Sequence, residues 1–158
     1  MRISRRDLMQ HLTRLPILLL ATPAWPLTPT AASDIELHIG TDGDFLAFMP
    51  DELSCATKAR VRVVFHHAGR RVTQQHNWVL VAPGTQSAVE QAAAQAGEKQ
   101  GWLPQNDRRI LAATPLCNPG ETVTTEFIAP APGDYPFICT YPGHGADMRG
   151  VLHVRPLK

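Results

Sequence analysis

The chain has 158 residues, of which 44% are hydrophobic and 18% are charged, a composition typical of a globular protein rather than a disordered one. The formal charge is only +1, so neither a basic nor an acidic balance points to nucleic acid. After removal of a leader, this length predicts one domain with a hydrophobic core large enough to fold without crosslinks.

Residues 1–32 are predicted to be a removable export signal. A basic start is followed by an apolar run at 15–21, too short to span a bilayer, and then by small residues. Arg5 and Arg6 lie in a segment that resembles a twin-arginine signal, with departures at two of its usual positions. Residues 1–32 hold four arginines and one aspartate, so the formal net charge of the chain falls from +1 to −2 without them. We therefore predict a periplasmic or otherwise exported protein whose domain is 33–158, with no membrane span in the mature chain.

Several stretches alternate apolar and polar residues with a period of two, which is the pattern of half-buried strands. They are residues 35–39, 60–65, 122–127, 135–139 and 151–154. Turn signals rich in glycine and proline separate them. Many short strands with such turns predict a β-sandwich or barrel.

One segment departs from the strand pattern. Residues 87–96 are rich in alanine, glutamine and glutamate, which favour helix. Ser87 followed three residues later by Glu90 fits a capping box, and Gly97 is placed to end the helix. The sequence predicts a short helix packed outside the sheets.

Three potential metal ligands lie within ten residues, directly after the end of a predicted strand. Cys139, His144 and Met148 follow the spacing Cys-x4-His-x3-Met, and a Pro-Gly pair lets this loop turn back sharply. His76, which precedes an apolar run, is a candidate fourth ligand. The four residues together predict a metal site.

The types of these side chains favour copper. A thiolate and two imidazoles with a weak axial methionine form the blue-copper arrangement, which holds one ion as Cu(I) or Cu(II). Structural zinc sites rarely use methionine and show closely paired ligands instead. A binuclear copper site needs two cysteines in the loop, and this loop has one. The plainer alternative, a core cysteine and methionine with a loop histidine, leaves their joint spacing unexplained.

Other chemistry-bearing residues do not form a recognisable site. Of the adjacent His66 and His67, one is predicted to face inward near a strand end and the other to be solvated. Three cysteines, an odd count, require at least one unpaired thiol in an exported protein, and Cys139 is the candidate. No nucleophile triad, carboxylate pair or phosphate loop is present in the sequence, so we do not expect an enzyme.

The chain resembles the azurin and auracyanin branch of the cupredoxins. Gln-Gln-His-Asn-Trp-Val-Leu-Val at 74–81 is especially similar to auracyanins, and Cys-Thr-Tyr-Pro-Gly-His at 139–144 with Met148 is close to the azurin ligand loop. Residues 44–48 and 111–116 are similar too, and the motifs follow the family's order over most of 35–155. The resemblance implies an all-β Greek-key β-sandwich with one external helix near 87–97.

The resemblance also implies roles for particular residues. The copper ligands would be His76, Cys139, His144 and Met148. Gln75 is a candidate for a distant contact through its backbone carbonyl, although azurins have glycine there. Asn77 is expected to bridge the two ligand segments by hydrogen bonds that fix the site.

The implied function is one-electron transfer between exported redox partners. Such partners, for example a cytochrome or another oxidoreductase, are expected to dock near the edge of His144, amid an apolar patch of Met49, Pro142, Gly143 and Ala146. The alternatives are a periplasmic copper-binding protein for delivery or storage, or a small subunit of a larger oxidoreductase. Copper delivery usually involves tracts rich in methionine or histidine, which this chain lacks.

The cysteines depart from the azurin pattern. Azurins carry a disulfide near their start, and this chain lacks cysteines at both of those positions. In the family layout Cys55 falls far from copper and Cys117 in a loop near it. We therefore predict that these two do not pair, because bridged cysteines need close Cα atoms.

Overall fold

The computed structural model describes residues 34–71 and 74–157. The leader predicted for residues 1–32 lies outside the described residues, so the leader and the boundary at 33 stay predictions. Within the described ranges, no helix is both long enough and apolar enough to cross a membrane.

The described part of the chain contains nine strands, one α-helix and one short 3-10 helix at Glu98–Gln100. In chain order the strands and the α-helix are β1 (Asp34–Thr41), β2 (Phe48–Met49), β3 (Glu52–Ala56), β4 (Arg60–His66), β5 (Val79–Val81), α1 (Gln86–Ala96), β6 (Ile110–Ala113), β7 (Thr122–Ile128), β8 (Gly133–Ile138) and β9 (Arg149–Arg155). One sheet has the order β2-β1-β4-β7 and the other the order β3-β9-β8-β5-β6. The parallel pairs β1–β4 and β3–β9 make both sheets mixed, because the chain crosses to the other sheet between the members of each pair. The predicted all-β Greek-key sandwich is confirmed.

The core lies between the inner faces of the two sheets. In β4, Val61, Val63 and Phe65 are fully buried while Arg60 and Arg62 are exposed, as the period-two pattern predicts. Trp78 and Phe137 meet in the middle of the core with ring centroids 5.6 Å apart. This packing fixes the ends of β5 and β8, and those ends carry the predicted ligands.

The helix predicted near 87–97 is confirmed as α1, and it packs outside the second sheet. Val89 and Ala93, one turn apart, are buried. Val89 joins a second apolar cluster with Val79, Val81 and Ile138 of the sheet. Gly97 ends the helix with φ of +73°, a conformation that glycine adopts at little cost.

The predicted capping box is wrong. The helix begins one residue before Ser87, so that serine lies inside the first turn rather than at the cap. Thr85 occupies the cap position without a side-chain capping bond, and its hydroxyl donates instead to the carbonyl of Ala82 at 2.7 Å. Glu90 is thereby free to reach away from the helix terminus.

Candidate metal centre

His76 is held just before β5 by a two-way backbone bridge. Its N–H donates to the carbonyl of Cys117 at 3.2 Å, and the Cys117 N–H donates back at 2.7 Å. Downstream, β5 pairs with β8 in a register that sets Val79 opposite Ile138. Since Cys139 directly follows Ile138, the two predicted ligands reach the same end of the sheet.

The loop between β8 and β9 is closed by short backbone bonds. Ile138 and Arg149, at its two ends, are partners in the β8–β9 ladder. The Cys139 N–H donates to the carbonyl of Met148 at 3.0 Å, and the Met148 N–H donates to the carbonyl of His144 at 2.8 Å. The backbone of Met148, whose side chain is fully buried, is therefore hydrogen-bonded to both of the other predicted loop ligands.

Three donor atoms converge at this end of the sandwich. The Cys139 sulfur lies 3.8 Å from Nδ1 of His76 and 3.8 Å from Nδ1 of His144, and the two nitrogens are 3.1 Å apart. A metal about 2.0 Å from each nitrogen and about 2.3 Å from the sulfur, in a trigonal plane, sets these atoms roughly 3.5 to 3.7 Å apart. The three side chains are buried, and within the described residues they are the one such group of three found. The arrangement fits a single metal ion.

The electrostatics of the site favour neutral imidazoles, the form that binds metal. Burial, aided by the nearby imidazoles of His67 and His144, lowers the pKa of His76 to about 3. Burial also lowers the pKa of His144. Burial raises the pKa of the Cys139 thiol to about 11, against the backbone amides that stabilise its thiolate. Metal binding therefore has to expel a proton from the sulfur.

The metal-free protein is expected to lose stability as the pH falls from about 6.5 towards about 3. His76 has a pKa of about 3 in the folded chain against 6.5 when unperturbed, so the unfolded chain takes up the proton first. Its contribution is fully present above the unfolded pKa and is lost as the pH falls towards the folded one. Thermal unfolding midpoints at about pH 7 and about pH 4 test this. A His76→Gln variant should show a smaller change between them, and an equal change in both proteins would contradict the assignment.

Asn77 connects the two segments that carry the converging donors. Its Nδ2 donates to the hydroxyl of Thr140 at 2.8 Å, and its Oδ1 accepts from the Thr140 N–H at 2.8 Å. Both residues are buried, so each bond is shielded from water. Gln75 lies next to His76, and its side chain donates to Asn118 at 2.7 Å.

Comparison with known proteins identifies the class of site. Residues 35–155 match the model of copper binding proteins of the plastocyanin/azurin family. This chain belongs to that family. As a cupredoxin of the azurin and auracyanin type it is a blue copper protein, an electron carrier whose cofactor is one copper ion. The family, function and cofactor predicted from the sequence are thereby confirmed.

Two relatives and one solved structure support the assignment of this cupredoxin to the azurin and auracyanin type. Auracyanin-A of Chloroflexus aurantiacus is 38% identical over 127 residues, which cover 79% of this chain and 77% of auracyanin-A. The azurin of Bordetella pertussis is 36% identical over 130 residues, covering 78% of this chain and 86% of that azurin. The solved structure of auracyanin A, a "blue" copper protein, matches with a TM-score of 0.72 over 78% of this chain and 100% of its own.

The cupredoxin site includes one buried histidine to which the sequence analysis assigned no role. His67 is fully buried, and its ring lies 4.5 Å from the ring of His76. Its Nδ1 accepts from the Gly69 N–H at 3.0 Å, so the proton sits on Nε2, which donates to the carbonyl of Gln74 at 3.0 Å. His67 thus supports the segment leading to His76. Its neighbour His66 is exposed. The prediction that one histidine of the pair faces inward and the other is solvated is therefore confirmed.

The other two cysteines of this cupredoxin are buried and unpaired, as predicted. Cys55 lies in β3. Cys117 lies beside His76, and its thiol donates to the carbonyl of Glu121 at 3.3 Å. Burial raises the pKa of both thiols, which keeps them protonated and unreactive.

Proposed function

We propose that His76, Cys139, His144 and Met148 hold the copper ion and that the protein passes single electrons between exported redox partners. The observation that supports this most is the convergence of one sulfur and two nitrogens in a buried site, with the backbone of Met148 bonded to two of the three donor residues. Bound copper supplies a one-electron couple between Cu(II) and Cu(I).

The surrounding residues hold the ligands in one arrangement whichever charge the site carries. The bonds between Asn77 and Thr140 join the two ligand segments, and His67 supports the approach to His76. With four side chains assigned to copper, and Gln75 a candidate for a fifth contact through its carbonyl, no position is left for a substrate. We therefore propose a carrier rather than an enzyme.

We propose that partners dock at the loop between β8 and β9, residues 139–148, which we call the ligand loop. The Nδ1 of His144 faces Cys139, so the opposite edge of the ring is directed away from the metal. Pro142, Gly143 and Ala146 of the same loop are exposed and carry no charge. These three uncharged residues, beside the exposed Asp147, form a small patch. Such a patch suits brief contact with a cytochrome or another oxidoreductase, because weak electron-transfer interfaces are small.

We also propose that the protein is exported to the periplasm or beyond. The support is the basic, apolar and small-residue order of residues 1–32. The N-terminal sequence of protein recovered from the periplasmic fraction tests this. Cytoplasmic protein that still begins at Met1 would contradict it.

The visible spectrum of the copper-loaded mature protein tests the carrier function. We expect intense blue absorption that a reductant bleaches and an oxidant restores, because the thiolate of Cys139 transfers charge to Cu(II). Ala146→Glu should keep this absorption but slow electron exchange with a cytochrome, since the new carboxylate must lose water on docking. Ala131→Glu, in the exposed turn before β8, is the control for added charge alone.

Two results would contradict the proposal. A pale spectrum, with copper that a chelator removes easily, would favour the alternative of copper delivery or storage. Equal slowing of electron exchange by Ala146→Glu and Ala131→Glu would mean that partners do not dock at the ligand loop.

A further inference from the structure

The carbonyl of Gly145 marks a point where the ligand loop is bound from outside. The Arg149 guanidinium donates to this carbonyl through Nη2. Oε1 of Glu90, from α1, lies 3.7 Å from the same nitrogen. That carboxylate oxygen is shielded from water and has no hydrogen-bond partner among the described residues, so the guanidinium is its nearest compensating charge.

From this arrangement we infer that Glu90 and Arg149 form a clamp that sets the position of the loop between His144 and Met148. Gly145 directly follows His144, and Arg149 directly follows Met148. The clamp therefore spans the segment that separates two of the proposed ligands. It joins that segment to α1 on one side and to β9 on the other.

The backbone of the loop between His144 and Met148 makes only local hydrogen bonds. The backbone bonds within it run from His144 to the carbonyl of Tyr141 and from Asp147 and Met148 back to the carbonyl of His144. Bonds of this kind set the shape of a turn but leave its position relative to the sandwich less restrained. Besides the buried side chain of Met148, the clamp adds a restraint from outside the loop, because α1 is anchored to the sheet through Val89.

The clamp also depends on the absence of a side chain at Gly145. A Cβ built there would lie 2.6 Å from Oε1 of Glu90, closer than packed atoms come. With glycine at this position, the Glu90 carboxylate can lie against the loop backbone and remain near Arg149. Glu90 of α1, Gly145 of the loop and Arg149 of β9 are thus in mutual contact.

The clamp is expected to act on the ligands more than on the stability of the fold. The side chains of Arg149 and Glu90 are 49% and 31% exposed, and ion pairs at such positions contribute little to the free energy of unfolding. Outer contacts that orient metal ligands, by contrast, change metal affinity by about tenfold to a hundredfold. We class both as positioning residues.

The test compares Arg149→Met and Glu90→Gln with Arg155→Met. Arg155 is the matched control, because it lies at the far end of β9 and pairs with Asp134 instead. We expect Arg149→Met to speed the loss of Cu(II) to a chelator about tenfold and to alter the electron paramagnetic resonance spectrum of Cu(II). Glu90→Gln should change both in the same direction by less, and Arg155→Met should change neither. Arg149→Lys, which keeps the charge, should recover part of the effect.

The inference rests on the proposed ligand set, and a second measurement separates the two. In the metal-free full chain, Arg149→Met should speed amide hydrogen exchange at residues 145–148, and Arg155→Met should not. If the unaltered protein gives no blue absorption, the proposed ligand set is wrong. The hydrogen-exchange comparison then still tests whether Glu90 and Arg149 hold the loop. The clamp would be overturned if Arg149→Met matched Arg155→Met in its rate of copper loss, its spectrum and its hydrogen exchange. Should Arg149→Met fail to fold, Glu90→Gln decides by the same readouts.

Discussion

Cys139→Ser is expected to abolish the intense blue absorption completely. That absorption needs a thiolate bonded to Cu(II), and Cys139 is the cysteine whose sulfur lies 3.8 Å from both converging imidazole nitrogens. A serine hydroxyl is too weak an acid to replace the thiolate at neutral pH. The visible spectrum after copper loading measures the loss, and circular dichroism checks that the metal-free variant keeps its strands.

The chain supplies matched controls for this experiment. Cys55 and Cys117 are also buried and unpaired, and Cys117 even shares a backbone bridge with His76. Neither belongs to the group of converging donors. Cys117→Ser and Cys55→Ser should therefore keep the blue absorption. Its loss in Cys117→Ser, with retention in Cys139→Ser, would overturn the proposed ligand set.

Asn77→Ala is expected to weaken both the copper site and the fold. It leaves the buried N–H of Thr140 without an acceptor, which costs about 1–3 kcal/mol in the free energy of unfolding. It also removes both side-chain hydrogen bonds between the two ligand segments, so copper affinity should fall by about tenfold to a hundredfold. Denaturant unfolding of the metal-free protein and competition with a chelator measure the two effects.

Thr140→Val separates the two bonds that Asn77 makes. The variant removes the hydroxyl acceptor but keeps the backbone N–H bond to Oδ1 of Asn77. Its effect on copper affinity should therefore lie between those of the unaltered protein and Asn77→Ala. If Asn77→Ala lowered stability while copper affinity stayed unchanged, Asn77 would support the fold alone.

The longer strands were predictable from the sequence, and the short ones were not. β1, β4, β7, β8 and β9, which have six to eight residues each, all overlap a predicted stretch. All three residues of β5 are buried, since α1 covers one side of it, so no alternation marks it. β2 has two residues, too few for any periodicity.

The sequence by itself determined the local part of the site. Cys139, His144 and Met148 lie on one loop, so their types and spacing, with His76 as a candidate fourth ligand, indicate copper. The resemblance to cupredoxins added the role of Asn77. Only the tertiary structure decided how near these ligands come, because His76 and Cys139 are 63 residues apart and meet through the pairing of β5 with β8.

The same distinction explains what the sequence analysis missed. Glu90 acts through a contact across the fold, and His67 acts through contacts with Gln74 and His76, seven and nine residues along the chain. No repeating sequence pattern marks such contacts. Glu90 was interpreted as part of a capping box, a local motif, whereas the structure directs its carboxylate to Arg149 on another element. Spacing along the chain determines which ligands a loop can offer. Packing between elements decides which side chains hold that loop in place.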